Sequence, residues 1–142
     1  MTWWTMSKKN PDVIVLGLSP TGLYAVREAA RAGYSVLGVG APGSPGLWSR
    51  FLAERIVADS ADARVAAILD RIDPNSTQKP VLVVTSDQDL EAVSAHSEVL
   101  STHVHMQGSY KDGLAGQIMD KHTFYQLCKA HGVAYPSLWS AR

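Results

Sequence analysis

The chain is poor in the residues that build covalent or metal-held scaffolds. Cys128 is the single cysteine among 142 residues, so an intramolecular disulfide is impossible and the clustered thiolates of a structural zinc site are absent. Lys and Arg together number 13, and so do Asp and Glu, which gives a formal net charge of zero. A neutral chain lacks the basic surface that attracts nucleic acid or an anionic membrane. We therefore expect neither of these partners.

Long apolar runs are missing as well. No stretch approaches the roughly twenty apolar residues that a membrane-spanning helix needs, and the first ten residues lack the apolar core of a signal peptide. These absences favour a cytoplasmic protein. Residues 1–10 contain Trp3 and Trp4, and we predict a flexible lead whose aromatic side chains dock on the domain or on a partner chain.

What the sequence does contain is a regular alternation of short apolar runs and amphipathic stretches. The apolar runs predict strands at residues 12–17, 34–39, 55–58 and 80–85, with a marginal fifth strand at 103–105. The first run, a glycine-containing turn, a helix and the second run form a βαβ unit. The pattern predicts a single α/β domain with a Rossmann-like, open, mostly parallel sheet of four to five strands and helices on both faces.

Three helices carry capping signals. Ser60 is predicted to cap one helix, and Ser86 with Asp89 three residues later matches a capping box. A third helix is predicted to begin after Asp120 and to end at Gly132.

Parallel sheets bind ligands beyond the carboxyl ends of their strands, where the strand order reverses. Three loops should converge there: residues 17–22, the Pro/Gly-rich loop through Arg50, and residues 85–87. The first is a glycine turn that enters a helix N-terminus, which favours a phosphate or a carboxylate. The candidate substrate-binding residues of this turn are Gly17, Ser19, Thr21 and Gly22.

Arg50 and Asp87 complete the candidate substrate site. An arginine after a Pro/Gly-rich loop can clamp a carboxylate through two parallel hydrogen bonds, although a solvated loop cation is the ordinary alternative. Asp87 follows a buried strand, and its alternative role is to cap the next helix together with Ser86.

A dinucleotide site is the obvious alternative for this turn, but the sequence departs from its fingerprint. Ser19 and Pro20 stand where the middle glycine of Gly-x-Gly-x-x-Gly is expected. The second strand is followed by Val39-Gly40-Ala41-Pro42, without the acidic residue that holds the ribose hydroxyls.

No metal site and no catalytic residue are predicted. His103 and His105 would share one face of a strand, but no acidic or thiol ligand lies near them in sequence. Cys128 lies on the apolar face of a helix and is interpreted as a small buried hydrophobe.

Several motifs, in order along the chain, resemble the N-terminal portion of ATP-grasp carboxylate–amine ligases. The segment 120–136, with Asp120-Lys121 at its start, resembles the link from the N-terminal domain into the ATP-binding part. Ser49-Arg50-Phe51 and Val83-Val84-Thr85-Ser86-Asp87 resemble motifs of the amino-acid-ligase branch. Val15-Leu16-Gly17 with Gly22 resembles the opening strand and turn of these domains.

The resemblance implies a preATP-grasp domain at residues 11–110, followed at 111–142 by linker helices that lead into ATP-binding subdomains beyond this sequence. It implies a ligase that activates a carboxylate, from an amino acid or a small acid, as an acyl phosphate for attack by an amine. ATP and Mg²⁺ would be bound mainly by the absent subdomains, with Lys121 as the one ATP contact carried over. We therefore expect no catalysis from the 142-residue chain alone.

Two other functions stay open. One is a nucleotide-binding Rossmann domain of an oxidoreductase. The other is a non-catalytic binding or assembly module, possible as a homodimer that pairs through Trp3, Trp4 or Trp139. If the last helix belongs next to an absent domain, Phe124, Leu127 and Cys128 should pack less completely than core residues such as Val15 or Leu82.

Overall fold

The structure, a computed structural model, describes residues 9–111 and 113–136. Trp3, Trp4 and Trp139 lie outside these residues. Within them the chain forms four strands and six helices in the following order: β1 (Val13–Leu16), α1 (Pro20–Arg31), β2 (Val36–Gly40), β3 (Glu54–Val57), α2 (Ala61–Arg71), β4 (Val81–Val84), α3 (Asp87–Ala95), α4 (Ser97–His103), α5 (Leu114–Met119) and α6 (Lys121–Ala130). Two short 3₁₀ helices lie at Pro45–Trp48 and Gly108–Tyr110.

The strands form one parallel sheet in the order β3-β2-β1-β4. Val15 of β1 lies opposite Gly38 of β2 on one side and Val83 of β4 on the other. The chain therefore adds β2 and β3 on one side of β1, then returns to place β4 on the other side. The Rossmann-like α/β fold predicted from the sequence is confirmed, and the strand order reverses between β1 and β4.

Each face of the sheet supports its own apolar core. Ile14 and Leu16 of β1 face a cluster built with α2, α3 and α4, in which Ile68, Val93 and Leu100 are fully buried. Val15 faces the opposite cluster, which is covered by α1 and the segment before β3. Because both faces are covered, β1, β2 and β4 are continuous apolar runs, whereas the edge strand β3 alternates between half-buried and exposed residues.

The marginal fifth strand predicted at 103–105 is wrong for most of its length. His103 ends α4, and only His105 joins the sheet, through a single parallel bridge to Val81. Leu100 and Val104, four residues apart, are both buried in the core, which favours a helical turn over an extended segment. His103 and His105 therefore do not share one face of a strand.

The last helix, α6, has the predicted caps and packs only in part. The Asp120 carboxylate accepts a hydrogen bond from the Thr123 amide at 2.9 Å, and Gly132 takes a positive φ of 66° after the helix end. Cys128 is 6% exposed but Phe124 is 38% exposed, whereas Val15 is fully buried. The expectation of incomplete packing at this helix is confirmed.

Polar side chains hold the amino-terminal edge of the sheet together. Asn10, only 2% exposed, donates to the carbonyls of Asp73 (3.2 Å) and Gln78 (3.1 Å) and accepts from the Asp73 amide (2.8 Å). The Asp12 carboxylate accepts from the amide (2.8 Å) and the hydroxyl (2.9 Å) of Ser35. Within the described residues, none of the helices is both long and apolar enough to cross a membrane.

Candidate functional site

The loops after β1 and β4 meet at the carboxyl edge of the sheet. The Thr85 hydroxyl donates to the Gly17 carbonyl at 2.6 Å, and the Thr85 amide donates to the Leu16 carbonyl at 2.9 Å. These bonds tie the two loops together where the strand order reverses, which is the usual ligand position in open parallel sheets. The predicted convergence of these two loops is observed.

Gly17 and Gly22 shape the turn between β1 and α1. Gly17 has a φ of 92°, a conformation that costs little only for glycine. A Cβ atom on Gly22 would lie 1.9 Å from the Gly17 carbonyl oxygen, so any side chain there would force the backbone apart. Close packing of the turn against the start of α1 accounts for a glycine at position 22.

Two hydroxyls stand at the start of α1. Ser19 is the N-cap residue but makes no side-chain hydrogen bond to the helix, and Pro20 occupies the first turn without an amide hydrogen. Among the described residues the structure gives neither Ser19 nor the exposed Thr21 a hydrogen-bond partner for its side chain. Both hydroxyls, together with the positive end of the α1 dipole, are therefore available to an anion.

The Pro/Gly-rich loop reaches this edge only with its first half. The Gly46 amide donates to the Leu18 carbonyl at 3.0 Å, and a Cβ on Gly46 would lie 2.9 Å from the Leu18 Cβ. The 3₁₀ helix Pro45–Trp48 therefore packs directly on the residue that follows the Gly17 turn.

Arg50 does not lie at the carboxyl edge, so the predicted convergence is wrong for this residue. Its guanidinium carbon lies 5.2 Å from the centre of the Phe51 ring, whose centre is 5.9 Å from the guanidinium carbon of Arg31, the last residue of α1. The Ala53 amide already bonds the carbonyl of Val36, the first residue of β2. A parallel β3 must start at the amino edge, so the chain has crossed most of the sheet by residue 50.

Asp87 and its neighbours occupy the β4 side of the site. Asp87 is exposed in the first turn of α3, and the Ser86 hydroxyl accepts a hydrogen bond from the Asp89 amide at 3.2 Å. The predicted cap at Ser86 is therefore confirmed. The Asp89 carboxylate, however, accepts from the Ser86 hydroxyl at 2.5 Å and turns its other oxygen toward α2.

A buried ion pair behind these loops was missed from the sequence. Arg64 of α2 donates through Nε (2.8 Å) and Nη2 (2.7 Å) to Asp89 Oδ1, and both side chains are less than 5% exposed. Its Nη1 donates to the carbonyls of Ala58 (3.0 Å) and Asp59 (3.1 Å). One signal was present: Arg64 shares the apolar face of α2 with Ala61, Val65 and Ile68, where a charged residue requires a partner.

Lys121 is distant from these loops along the sequence. It is exposed in the first turn of α6, which packs on α5, and α5 packs on α3. Hydrogen bonds from the Thr123 side chain and amide lower the pKa of Asp120, so the capping carboxylate beside Lys121 stays ionised at neutral pH.

The described residues contain no cluster of metal-ligating side chains. No group of three or more His, Cys, Asp or Glu side chains within them is arranged to hold a metal ion. The Asp89 carboxylate beside the glycine turn is buried against Arg64. Mg²⁺ prefers several oxygen ligands in octahedral geometry.

Comparison with known proteins gives a match at the level of structure. No protein-family model matches the sequence, and no curated protein matches it. The fold is similar to part of N5-carboxyaminoimidazole ribonucleotide synthetase from Thermotoga maritima, with a TM-score of 0.65 and 18% sequence identity. This likeness shows the fold.

The match covers 90% of this chain and 33% of the synthetase, so the chain spans about one third of that protein's length. That synthetase is an ATP-grasp ligase, the class of enzyme that the sequence motifs resemble. The structural likeness and the motifs thus agree on one Rossmann-like domain.

Proposed function

We propose that this chain is the substrate-side domain of an ATP-grasp ligase that joins a carboxylate to an amine. In this proposal residues 11–110 form the preATP-grasp domain, and residues 111–142 lead into ATP-binding subdomains that this sequence does not contain. The proposal is carried by the glycine turn at the reversal of strand order, where two hydroxyls at the start of a helix have no side-chain partner among the residues that the structure describes. The fold shared with an ATP-grasp ligase supports the reaction class.

The proposed substrate site binds an anionic group. Gly17 and Gly22 keep the turn tight, so that the backbone amides at the start of α1 can approach a ligand. Ser19 and Thr21 would donate hydroxyl hydrogen bonds to a carboxylate or phosphate oxygen. Asp87, exposed at the opposite side of the site, would accept a hydrogen bond from the amine of the same substrate or of its partner.

The name of the structural neighbour agrees with an anionic ligand. The carboxyaminoimidazole ribonucleotide that names this synthetase is its product, and it carries both a carboxylate and a phosphate, the two groups that a helix N-terminus favours. For this chain we propose the broader class, a small carboxylate or an amino acid. Arg50 is not part of the proposed site, because its guanidinium lies near the Phe51 ring, which is also near Arg31 at the far end of α1.

Lys121 is proposed as an ATP contact that acts in the complete ligase. Its ammonium group is exposed, and a point charge on a flexible stem suits nucleotide phosphates. ATP and Mg²⁺ would bind mainly to the subdomains outside this sequence. The described residues hold and orient the acid substrate, and the phosphoryl chemistry belongs to the complete protein.

Thermal denaturation in the presence of ligands tests the site. We expect amino acids or small carboxylates to raise the melting temperature, and the double variant Ser19→Ala/Thr21→Ala to abolish the shift. Thr77→Ala, an exposed hydroxyl in the connection before β4, serves as the control and should leave the shift unchanged.

Three results would contradict the proposal. Stabilisation by NADH but by no carboxylate would favour an oxidoreductase domain. A stable oligomer without any ligand-induced shift would favour an assembly module. ADP release from ATP by the purified 142-residue protein would show that the chain contains a catalytic centre of its own.

A further inference from the structure

Helix α2 carries an arginine–carboxylate pair at each end. Arg64, near its start, binds Asp89 of α3, and Arg71, its last residue, binds Glu54 of β3 with contacts of 2.7 and 2.6 Å. The first pair lies at the carboxyl edge of the sheet and the second at the amino edge. The two pairs share a helix and a chemistry, but only the first adjoins the proposed substrate site.

Arg64 connects three segments of the carboxyl edge. Its Nη1 holds the carbonyls of Ala58 and Asp59, which follow β3, and its other nitrogens hold Asp89 in α3. Asp89 in turn accepts from the hydroxyl of Ser86, the residue that caps α3 after β4. A single buried guanidinium therefore fixes the ends of two strands relative to each other.

The same carboxylate lies against the glycine turn. A Cβ atom on Gly17 would be 3.2 Å from Asp89 Oδ2, 3.3 Å from the Ser86 Cβ and 2.9 Å from the Thr85 hydroxyl. The loop after β1 thus packs beside Asp89, which Arg64 binds, and beside Ser86, which donates to Asp89. Asp89 and its neighbours therefore leave no room for a side chain at residue 17, so a displacement of Asp89 would alter the packing around the turn.

The pair also sets the electrostatic potential beside the turn. An ionised carboxylate in this position would repel an anionic ligand, and its field would be weakly screened because it is 2% exposed. The guanidinium at 2.7 Å neutralises it. Loss of Arg64 should therefore weaken anion binding, and loss of Asp89 should strengthen it.

We propose that Arg64 and Asp89 are positioning residues of the substrate site: the pair holds the loops after β1, β3 and β4 together and neutralises the carboxylate beside the Gly17 turn. The inference rests on the proposed function for its ligand, but its structural part does not. A purely structural ion pair would stabilise the fold without a specific effect on this turn.

Amide hydrogen exchange measured residue by residue tests the positioning without any ligand. In Arg64→Gln we expect the Gly17 and Thr85 amides, which donate to the Val39 and Leu16 carbonyls, to exchange at least tenfold faster relative to the mean of the sheet. Arg71→Gln, the matched control on the same helix, should leave that ratio unchanged. If both variants accelerate the two amides equally, or neither does, the proposal is wrong.

The double variant Arg64→Met/Asp89→Leu keeps the test decisive if Arg64→Gln does not fold. Neutral replacement of a buried ion pair commonly retains stability, whereas removal of one partner leaves a buried charge. The double variant should therefore fold and still show faster exchange at Gly17 and Thr85. Normal exchange at both amides in this variant would overturn the proposal.

Titration with inorganic phosphate tests the electrostatic part. We expect Arg64→Gln to weaken binding roughly tenfold and Asp89→Asn to strengthen it, since the two substitutions leave opposite charges behind. Weakening by both, to the same degree, would contradict the electrostatic role. If the unmodified protein binds neither phosphate nor any carboxylate, the proposed function fails, while the exchange experiment still decides the positioning role.

Discussion

Similar polar residues occur at the two edges of the sheet, but the two edges have different roles. At the amino edge, Asn10 and Asp12 bond the segments that enter the strands, with Asn10 only 2% exposed. At the carboxyl edge, Thr85, Ser86 and Asp89 do the same for the segments that leave them.

The two edges differ in whether polar side chains remain without a hydrogen-bond partner among the described residues. Ser19 and Thr21 have no side-chain partner among the described residues, and they stand where α1 begins. In a parallel sheet, the helix that follows each strand starts at the carboxyl edge and presents its amides and positive dipole end there. The same fold that closes one edge therefore opens the other to an anion.

The largest expected effect is at the carboxyl edge, in Gly22→Ala. The new Cβ would lie 1.9 Å from a backbone oxygen, so we expect the free energy of unfolding to fall by about 3 kcal/mol or more. Urea denaturation measures it. Gly116→Ala in α5 is the control: it meets no atom within 4 Å and should stabilise the protein by about 0.5 kcal/mol. Equal effects would mean that the turn is less tight than described.

At the amino edge, Asn10→Ala should lower the free energy of unfolding by about 2 kcal/mol. It removes the hydrogen bond that the Asp73 amide donates to Asn10 and one of the two donors to each of the Asp73 and Gln78 carbonyls, whose other donor is Ser76. The ligand-induced shift in melting temperature should remain, because Asn10 is at the edge away from the proposed site. Loss of that shift would show that the two edges are not separate. Asn75→Ala, in an exposed turn, is the neutral control.

A smaller effect separates two helix caps at the carboxyl edge. Ser60 and Ser86 each accept one hydrogen bond from a helix amide, so Ser60→Ala should cost about 1 kcal/mol. Ser86→Ala should cost about 2 kcal/mol, because it also removes the donor to the buried Asp89 carboxylate. Chemical denaturation of both variants provides the comparison. A larger loss at Ser60 would argue against the role of Ser86 in the Arg64 network.

The smallest expected effect is the pH dependence of the amino edge. Hydrogen bonds from the amide and hydroxyl of Ser35 lower the pKa of Asp12 below its ordinary value of 3.8. A lowered pKa in the folded state contributes stability above the unfolded pKa, and this contribution is lost as the pH falls from about 4 through the folded pKa. Between about pH 5 and pH 3, the unmodified protein should lose slightly more stability than Asp12→Asn, and the difference should be small because Asp12 is partly exposed. Denaturation curves measured across this pH range give the comparison. If the stability of the two proteins falls equally with pH, Asp12 does not have this role.

The sequence predicted the elements well because their signals are local. The runs around β1 and β4, the caps at Ser60, Ser86 and Asp120, and the helix end at Gly132 depend on neighbours within a few residues. The glycine turn was placed correctly for the same reason. The fifth strand failed because the burial of Leu100 and Val104 decided between two locally acceptable conformations.

Local sequence signals could not predict where Arg50 lies between the two edges of the sheet. Arg50 follows a loop that starts at the carboxyl edge, but the sequence does not show how far the chain has travelled toward β3 at that residue. The structure places it beside Phe51 and near the end of α1. Arg50 therefore does not lie at the glycine turn, where it would have to be to bind the carboxylate of a ligand held there.

The sequence by itself determined the alternation of strands and helices, their caps and the glycine turn, because hydrophobic period, capping and backbone freedom act over a few residues. The tertiary structure alone decided that Arg64 meets Asp89, 25 residues further along the chain, and that both adjoin Gly17. Such a pair forms only after α2 and α3 have packed on the same face of the sheet. Burial then makes the partner obligatory, since an unpaired charge in that position would cost more than the fold can offset.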